Sequence, residues 1–366
     1  MRVFSLSVLL VVTLAACDSS LTEPPPPLPP GGDEIVEGVN LTRLFATPSA
    51  EEHDAVRAEW ATRDANRSGR YRYTIEATGM DSDGAALTVL AGRDAATKAV
   101  LHYGLVRVPG HAGEVFSLPT LLLCPEGLAT ATESDLLRDA SYGFVRDGSV
   151  QVLMTYRGGT LSALGQTFAS AAEPDAYDRD VDDALALIDA VLAQISRTDA
   201  NRMGAYGFGR GGAVALVAGI RDERIRAVAD LAGPSDFLSE PFRDEARKLL
   251  RGQNSAFPAD ASLAEQLFIP LREGTLTFEA ARIALLRRSA RPFALDLPAN
   301  LIVHGTSDFT VPITFSRLLA QTILGLRPDG APSVFLEVDA SHTDLLTLSE
   351  AQQAVGAFFD AEIRTL

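Results

Sequence analysis

Short runs rich in apolar residues recur along the chain from Leu118 onward. Their length and their content of Val, Ile, Leu and Phe are typical of strands buried in a parallel sheet. The predicted strands are Leu118–Leu123, Val150–Tyr156, Asn201–Phe208, Ile225–Leu231, Leu301–His304 and Ser333–Val338.

Between these runs the apolar residues change to a spacing of three and four positions, which predicts amphipathic helices. The clearest helix is Asp178–Ile195, whose acidic residues gather at its N-terminal end, where the helix dipole favours negative charge. Further helices are predicted at Gly211–Gly219, Ile313–Leu326 and Glu350–Ile363, and a longer, mainly helical insertion at Pro234–Leu297.

The earlier part of the domain has a different pattern. A capping box at Ser49–Glu52 predicts the start of a helix. Three strand-like runs follow at Arg70–Thr78, Ala86–Ala91 and Ala99–Val108, and a D-S-D-G turn separates the first two. Antiparallel strands that lead into alternating strands and helices predict one three-layer α/β domain with a mostly parallel sheet, covering residues 47–366. We expect the antiparallel strands at the edge of that sheet.

The N-terminus resembles a bacterial lipoprotein signal. Residues 1–16 contain a basic Arg2 and a short apolar run, and L-A-A-C ends at Cys17. Residues 17–46, which include the proline run Pro24–Pro30, are predicted to be an extended linker. This interpretation predicts an exported protein, anchored in the bacterial cell envelope by lipid on Cys17, with no other contact with the membrane. An ordinary signal peptide with an incidental cysteine, and a proline run that binds a partner, are the alternatives.

Composition narrows the possible partners. The 366 residues include 48 acidic and 32 basic side chains, for a net charge of −16, which argues against nucleic-acid binding. Two cysteines, Cys17 and Cys124, are too few for a disulfide framework. No motif indicates a cofactor or a metal site, so we expect neither.

The stretch Met203–Gly212, M-G-A-Y-G-F-G-R-G-G, carries the candidate chemistry. Its glycines have the spacing of a nucleophile elbow, G-x-S-x-G, a sharp strand-to-helix turn with the nucleophilic serine at its tip. Gly207 and Gly211 occupy the two glycine positions, where strand and helix pass too close for side chains. The tip itself is Gly209, so the frame is present without its nucleophile.

Two later loops supply the other members of a catalytic triad. Asp308 lies in H-G-T-S-D-F-T-V-P, and His342 lies in D-A-S-H-T-D. Each loop follows a predicted strand, at the edge where open α/β sheets place their sites. The carboxylate would hold the imidazole's tautomer, and the imidazole would accept a proton from a nucleophile.

Together these motifs resemble the catalytic domain of the prolyl oligopeptidase family, an α/β-hydrolase fold, with dienelactone-hydrolase-like enzymes as relatives. The resemblance implies hydrolysis of peptide or ester bonds, with the nucleophile at position 209, the acid at Asp308 and the base at His342. It also implies an oxyanion hole formed by the amide of Arg210 and by the loop at Pro125–Gly127, which contains Glu126 and Gly127. This loop reads C-P-E-G, a second departure from the family, because a negative charge at Glu126 would repel an oxyanion. Size is a third departure. The multi-domain members of the family carry a large β-propeller, and this chain has no room for one.

Three hypotheses follow from the missing serine. The first is a catalytically impaired protein that keeps its cleft for binding a peptide or ester ligand, or for scaffolding at the cell envelope. The second is a working hydrolase that uses a water activated by His342, or another nucleophile such as Cys124, Ser341 or Thr160. The third is an active enzyme altered at this one position. Two further residues are given structural roles. His304 is expected to pack and form hydrogen bonds beneath the acid loop, and Arg157 is expected to pair with an aspartate.

Overall fold

The computed structural model describes residues 32–110, 117–126, 130–139, 145, 148–327 and 330–364. The signal segment and Cys17 lie outside these residues. The strands are β1 (Ile35–Val36), β2 (Val39–Asn40), β3 (Tyr71–Met80), β4 (Ala86–Asp94), β5 (Val100–Val108), β6 (Leu118–Cys124), β7 (Thr130–Thr132), β8 (Val150–Met154), β9 (Thr160–Ala163), β10 (Gln166–Ala169), β11 (Thr198–Phe208), β12 (Ile225–Leu231), β13 (Ala299–Gly305) and β14 (Ser333–Val338).

The α-helices of the described residues are α1 (Leu41–Leu44), α2 (Ala50–Ala65), α3 (Arg67–Arg70), α4 (Glu133–Asp139), α5 (Arg179–Gln194), α6 (Arg210–Arg221), α7 (Glu240–Leu250), α8 (Asp260–Leu263), α9 (Ile269–Arg272), α10 (Phe278–Arg287), α11 (Thr314–Leu326) and α12 (Ser349–Ile363). Shorter helical turns are a π-helix at Ala264–Phe268 and 3₁₀-helices at Arg291–Asp296 and Asp344–Leu346. None of these helices is both long and apolar enough to span a bilayer.

Nine strands form the central sheet, in the order β14-β13-β12-β11-β6-β8-β5-β4-β3. The six strands from β14 to β8 pair in parallel, whereas β5, β4 and β3 pair antiparallel at one edge. This arrangement confirms the predicted three-layer fold and the predicted place of the antiparallel strands. The inner parallel strands β6, β8, β12 and β13 are almost wholly buried, because helices cover both faces of the sheet, whereas the edge strand β14 is partly exposed.

Two layers of buried side chains hold the helices to the sheet. One layer includes the apolar faces of α2, α5, α6, α11 and the helical insertion. The other contains the C-terminal helix α12 and a small three-stranded sheet, β10-β9-β7. The small sheet was not predicted, because strands of three or four residues carry too few positions for an alternating pattern.

The folded unit begins earlier than the predicted boundary at residue 47. Glu34–Leu366 forms one compact unit, and Val36, Val39, Leu41 and Leu44 are buried in its core. These apolar residues make residues 34–46 part of the domain instead of the linker. The predicted capping box does form: the Ser49 hydroxyl accepts from the amide of Glu52, and the Glu52 carboxylate accepts from the amide of Ser49.

The acidic N-terminal end of α5 is neutralised by arginines from other elements. Asp178 pairs with Arg63 at 2.6 Å and with Arg287 at 2.6 Å. Asp183 accepts two hydrogen bonds of 2.8 Å from Arg157. The bonds to Asp183 confirm that Arg157 forms a structural ion pair. The acidic cluster was predicted from the sequence, whereas the arginines that pair with it were not.

Candidate active site

Three loops at the carboxyl edge of the sheet carry the predicted triad positions. Gly209 lies between β11 and α6, Asp308 follows β13, and His342 follows β14. Parallel strands bring their carboxyl ends to the same edge, so side chains far apart in sequence converge there.

The backbone at Gly209 has the sharp turn of a nucleophile elbow. Its φ and ψ angles are 54° and −118°, a conformation that costs a residue with a side chain about 1–3 kcal/mol. A Cβ added at Gly207 would lie 2.0 Å from the carbonyl oxygen of Gly211, and one at Gly211 would lie 1.9 Å from that of Cys124. Both flanking glycines are therefore required by close backbone approach, as the sequence predicted.

Asp308 is held as an ionised hydrogen-bond acceptor. Its Oδ1 accepts from the amides of Thr310 and Val311, at 2.8 and 2.9 Å. Its Oδ2 lies 2.6 Å from Nδ1 of His342 and 3.3 Å from Nε2 of His304. Burial opposes its ionisation, but the hydrogen bonds from His304 and His342 keep the pKa of Asp308 below its usual range. His304 therefore lies beneath the acid loop, as predicted, and helps to position Asp308.

The second ring nitrogen of His342 contacts Glu126, a residue that the sequence analysis placed in the oxyanion loop. Its Nε2 lies 2.7 Å from Oε1 of Glu126, whereas in a working triad this nitrogen would accept the serine proton. A Cβ added at Gly209 would lie 2.9 Å from Cγ of Glu126 and 3.3 Å from its Oε1. Glu126 thus fills the space beside the elbow tip and binds the nitrogen that a serine would use.

Two carboxylates now flank one imidazole. Burial alone would lower the pKa of His342, but hydrogen bonds to Asp308 and Glu126 raise that pKa to about 9. At neutral pH the ring is therefore an imidazolium that donates from both nitrogens. A protonated imidazole has no lone pair with which to accept a proton, so general-base catalysis here would require the neutral ring.

The residues around Glu126 hold its loop in place. The hydroxyl of Tyr156 donates to the carbonyl of Pro125 at 2.7 Å, and the guanidinium of Arg210 lies 3.9 Å from the centre of the Tyr156 ring. Arg210 in turn forms a two-pronged ion pair with Asp180, at 2.8 and 2.9 Å.

Arg210 and Gly127 were predicted to form the oxyanion hole with Glu126, and of these two the structure describes only Arg210. Arg210 is the first residue of α6, so its amide belongs to the helix N-terminus, where donors lack intrahelical partners. Its predicted role in the oxyanion hole is compatible with this position. Gly127 lies outside the described residues.

The alternative nucleophiles are poorly placed for attack. Cys124 is buried, and burial raises the pKa of its thiol far above its usual value, which leaves little of the reactive thiolate. The hydroxyl of Ser341 donates to Asp344 at 2.6 Å. Thr160 begins β9 in the small sheet and donates to Thr130 at 2.8 Å.

The sheet order, the elbow and the acid and histidine loops define an α/β-hydrolase fold. Residues 138–254 match the model of the prolyl oligopeptidase family. This segment contains the elbow but neither Glu126 nor the loops of Asp308 and His342. No curated protein matches the sequence significantly.

Solved structures support the same fold. The acetyl xylan esterase from Paenibacillus sp. R4 aligns with a TM-score of 0.58 and 16% identity, over 88% of this chain and 100% of the esterase. Acetyl xylan esterase 1 from Thermoanaerobacterium sp. JW/SL YS485 aligns with a TM-score of 0.56 and 17% identity, over 87% and 99%. The Pyrococcus horikoshii acylaminoacyl peptidase aligns with a TM-score of 0.52 and 14% identity, over 81% of this chain but only 51% of the peptidase.

Proposed function

We propose that this protein is an α/β-hydrolase-fold protein that lacks serine-type hydrolysis and acts by binding a peptide or ester ligand in its cleft, or by scaffolding, at the cell envelope. The observation that carries the proposal is the 2.7 Å contact between Nε2 of His342 and Oε1 of Glu126 beside Gly209. The serine hydroxyl of a triad is missing at Gly209, the Glu126 side chain occupies the space beside it, and the raised pKa of His342 favours its protonated form at neutral pH.

The three features support one another physically. Glycine adopts the strained elbow conformation freely, and its missing side chain leaves room for Glu126. The Glu126 carboxylate in turn stabilises the imidazolium of His342, because an opposite charge at hydrogen-bond distance favours the charged form. The departures at positions 126 and 209 therefore act together to turn a catalytic triad into an ion-paired one.

The wild-type protein tests the proposal directly. We expect no covalent labelling by a fluorophosphonate probe, and no hydrolysis of p-nitrophenyl acetate above that of a His342→Ala control. A related active serine esterase should label under the same conditions, which shows that the assay works.

One result would instead support a working hydrolase that uses a water activated by His342. A water activated by His342 requires the neutral imidazole, so hydrolysis would increase as the pH rises through about 9. Activity with that profile, absent from His342→Ala, would show that the site still catalyses hydrolysis and would overturn the proposal.

The location at the envelope has its own test. If lipid on Cys17 anchors the protein, the wild type should fractionate with membranes and Cys17→Ser should appear in the soluble fraction. Mass spectrometry of the mature N-terminus should show the lipid on Cys17. Wild-type protein that stays soluble and unmodified would contradict the anchor without affecting the interpretation of the active site.

A further inference from the structure

We infer that the groove between α11 and β14 is a second ligand site, which takes a small amphipathic anion with one carboxylate on an apolar chain. The groove has a volume of about 620 Å³, which is typical of a site for a small molecule. It lies along the outer strand of the central sheet. The described residues that line it include neither a triad position nor Glu126.

The carboxylate is inferred from Arg327, which lines the groove without a counter-charge. Its Nη1 and Nη2 donate to the backbone carbonyls of Leu297 and Pro298, the second at 3.2 Å. Its Nε is buried, and no described residue accepts a hydrogen bond from this nitrogen. Burial lowers the pKa of Arg327, and Asp296, which forms an ion pair with Arg57, offsets this only in part. An anion beside the guanidinium would therefore be stabilised.

The other arginine of the groove, Arg317, is already neutralised. Its guanidinium donates to both carboxylate oxygens of Glu337, at 2.9 and 2.6 Å, and these bonds raise the pKa of Arg317. Among the described lining residues, two arginines and one glutamate thus leave one uncompensated positive charge. A singly charged carboxylate would balance it, whereas a cation would meet a like charge.

The apolar chain is inferred from the rest of the lining. Ile323 and Leu324 on α11 and Phe335 on β14 contribute to the groove, and Leu324 is 71% exposed. Ser333, Phe335 and Glu337 line it together, because side chains two positions apart on a strand point to the same face. An apolar chain laid along this face would remove Leu324 and Phe335 from water, which favours binding.

The charged residues lie towards opposite ends of the groove. Arg327 contacts Leu297 and Pro298, which precede β13, whereas Glu337 lies opposite His304 near the end of β13. The unpaired cation is therefore at the amino edge of the sheet, and the triad loops are at the carboxyl edge. From Ser333 to Glu337 the strand rises by about 13 Å, so an extended chain fits along it, away from the candidate active site.

Calorimetric titration of the purified protein with decanoate, below its micellar concentration, tests this site. We expect one decanoate to bind per chain, and decylammonium and acetate to bind at least about 10-fold more weakly. Decylammonium has the same chain with the opposite charge, and acetate has the head group without the chain. Leu324→Asn should weaken decanoate binding by about 10-fold. The matched control is Leu326→Asn, because Leu326 is 51% exposed on the same helix and lies outside the described lining of the groove.

Arg327→Gln tests the charge, and its amide is still able to donate to a backbone carbonyl. We expect this variant to lose the preference for decanoate over decylammonium. Circular dichroism and thermal melting should show that all three variants stay folded; if Arg327→Gln does not, the two leucine variants still decide whether decanoate binds in the groove. A wild type that does not bind decanoate, equal binding of decanoate and decylammonium, equal effects of the two leucine variants, or an unchanged preference in a folded Arg327→Gln would overturn the proposal.

Discussion

A double variant, Glu126→Ala with Gly209→Ser, is expected to gain labelling by a fluorophosphonate probe, whereas Gly209→Ser alone stays inert. In the single variant the new Cβ would lie 2.9 Å from Cγ of Glu126, and His342 would remain ion-paired and protonated. The serine would therefore have neither space nor a base.

Removal of the Glu126 carboxylate provides both the space for the serine and a base to activate it. The side chain no longer occupies the space beside position 209, and His342 loses one of the two carboxylates that raise its pKa. The imidazole can then be neutral near pH 7 and accept the serine proton, with Asp308 still bound to Nδ1. Restored general-base catalysis is worth about 10²–10⁴-fold, so hydrolysis of p-nitrophenyl acetate should rise by at least about 10²-fold over Gly209→Ser.

Two controls define what such a result means. Glu126→Ala with Gly209→Ala has the same space but no hydroxyl, and adding His342→Ala to the active double variant removes the base. Both should be inert. Equal labelling of the single and double serine variants would show that Glu126 does not block the site. A folded but inert double variant would show that the oxyanion hole is also lost.

Much of this site could be predicted from local sequence, because local backbone geometry imposes it. The glycines at 207 and 211 are required by contacts within a single strand-to-helix turn. Asp308 and His342 each lie in the loop after a strand, and parallel strands bring such loops together. The buried strands were predicted to within a few residues, since each is a short apolar run in a sheet covered on both faces.

The role of Glu126 could not be predicted in the same way. Glu126 and His342 are 216 positions apart, and no periodic pattern links them. The sequence showed an acidic residue in the oxyanion loop and a missing serine as two separate departures. Their connection is spatial, because the Glu126 side chain that reaches His342 lies beside Gly209, with its Cγ 2.9 Å from where a Cβ at that position would be. The available signal was chemical: an acidic side chain in the oxyanion loop is able to pair with a histidine whose serine partner is missing.

The ionised triad should also make stability depend on pH in the neutral to alkaline range. The pKa of His342 is about 9 in the folded protein against an ordinary value of 6.5. A group whose folded pKa is raised contributes its full stabilisation below the unfolded pKa and loses it as the pH rises through the folded one. The contribution of His342 is therefore about 3 kcal/mol below pH 6.5 and falls to zero above about pH 9.

Chemical denaturation between pH 6 and 10, together with an NMR titration of His342, would measure this loss. Another buried group titrates in the same range, because burial raises the pKa of Asp230 to about 8. The comparison with Glu126→Gln separates the two groups, since it removes one charge beside His342 and leaves Asp230 unchanged. In that variant the His342 pKa should fall, and the loss of stability should end at a lower pH. An unchanged His342 titration would mean that the ring is not held between two carboxylates, and the proposed conversion of the triad into an ion pair would then be wrong.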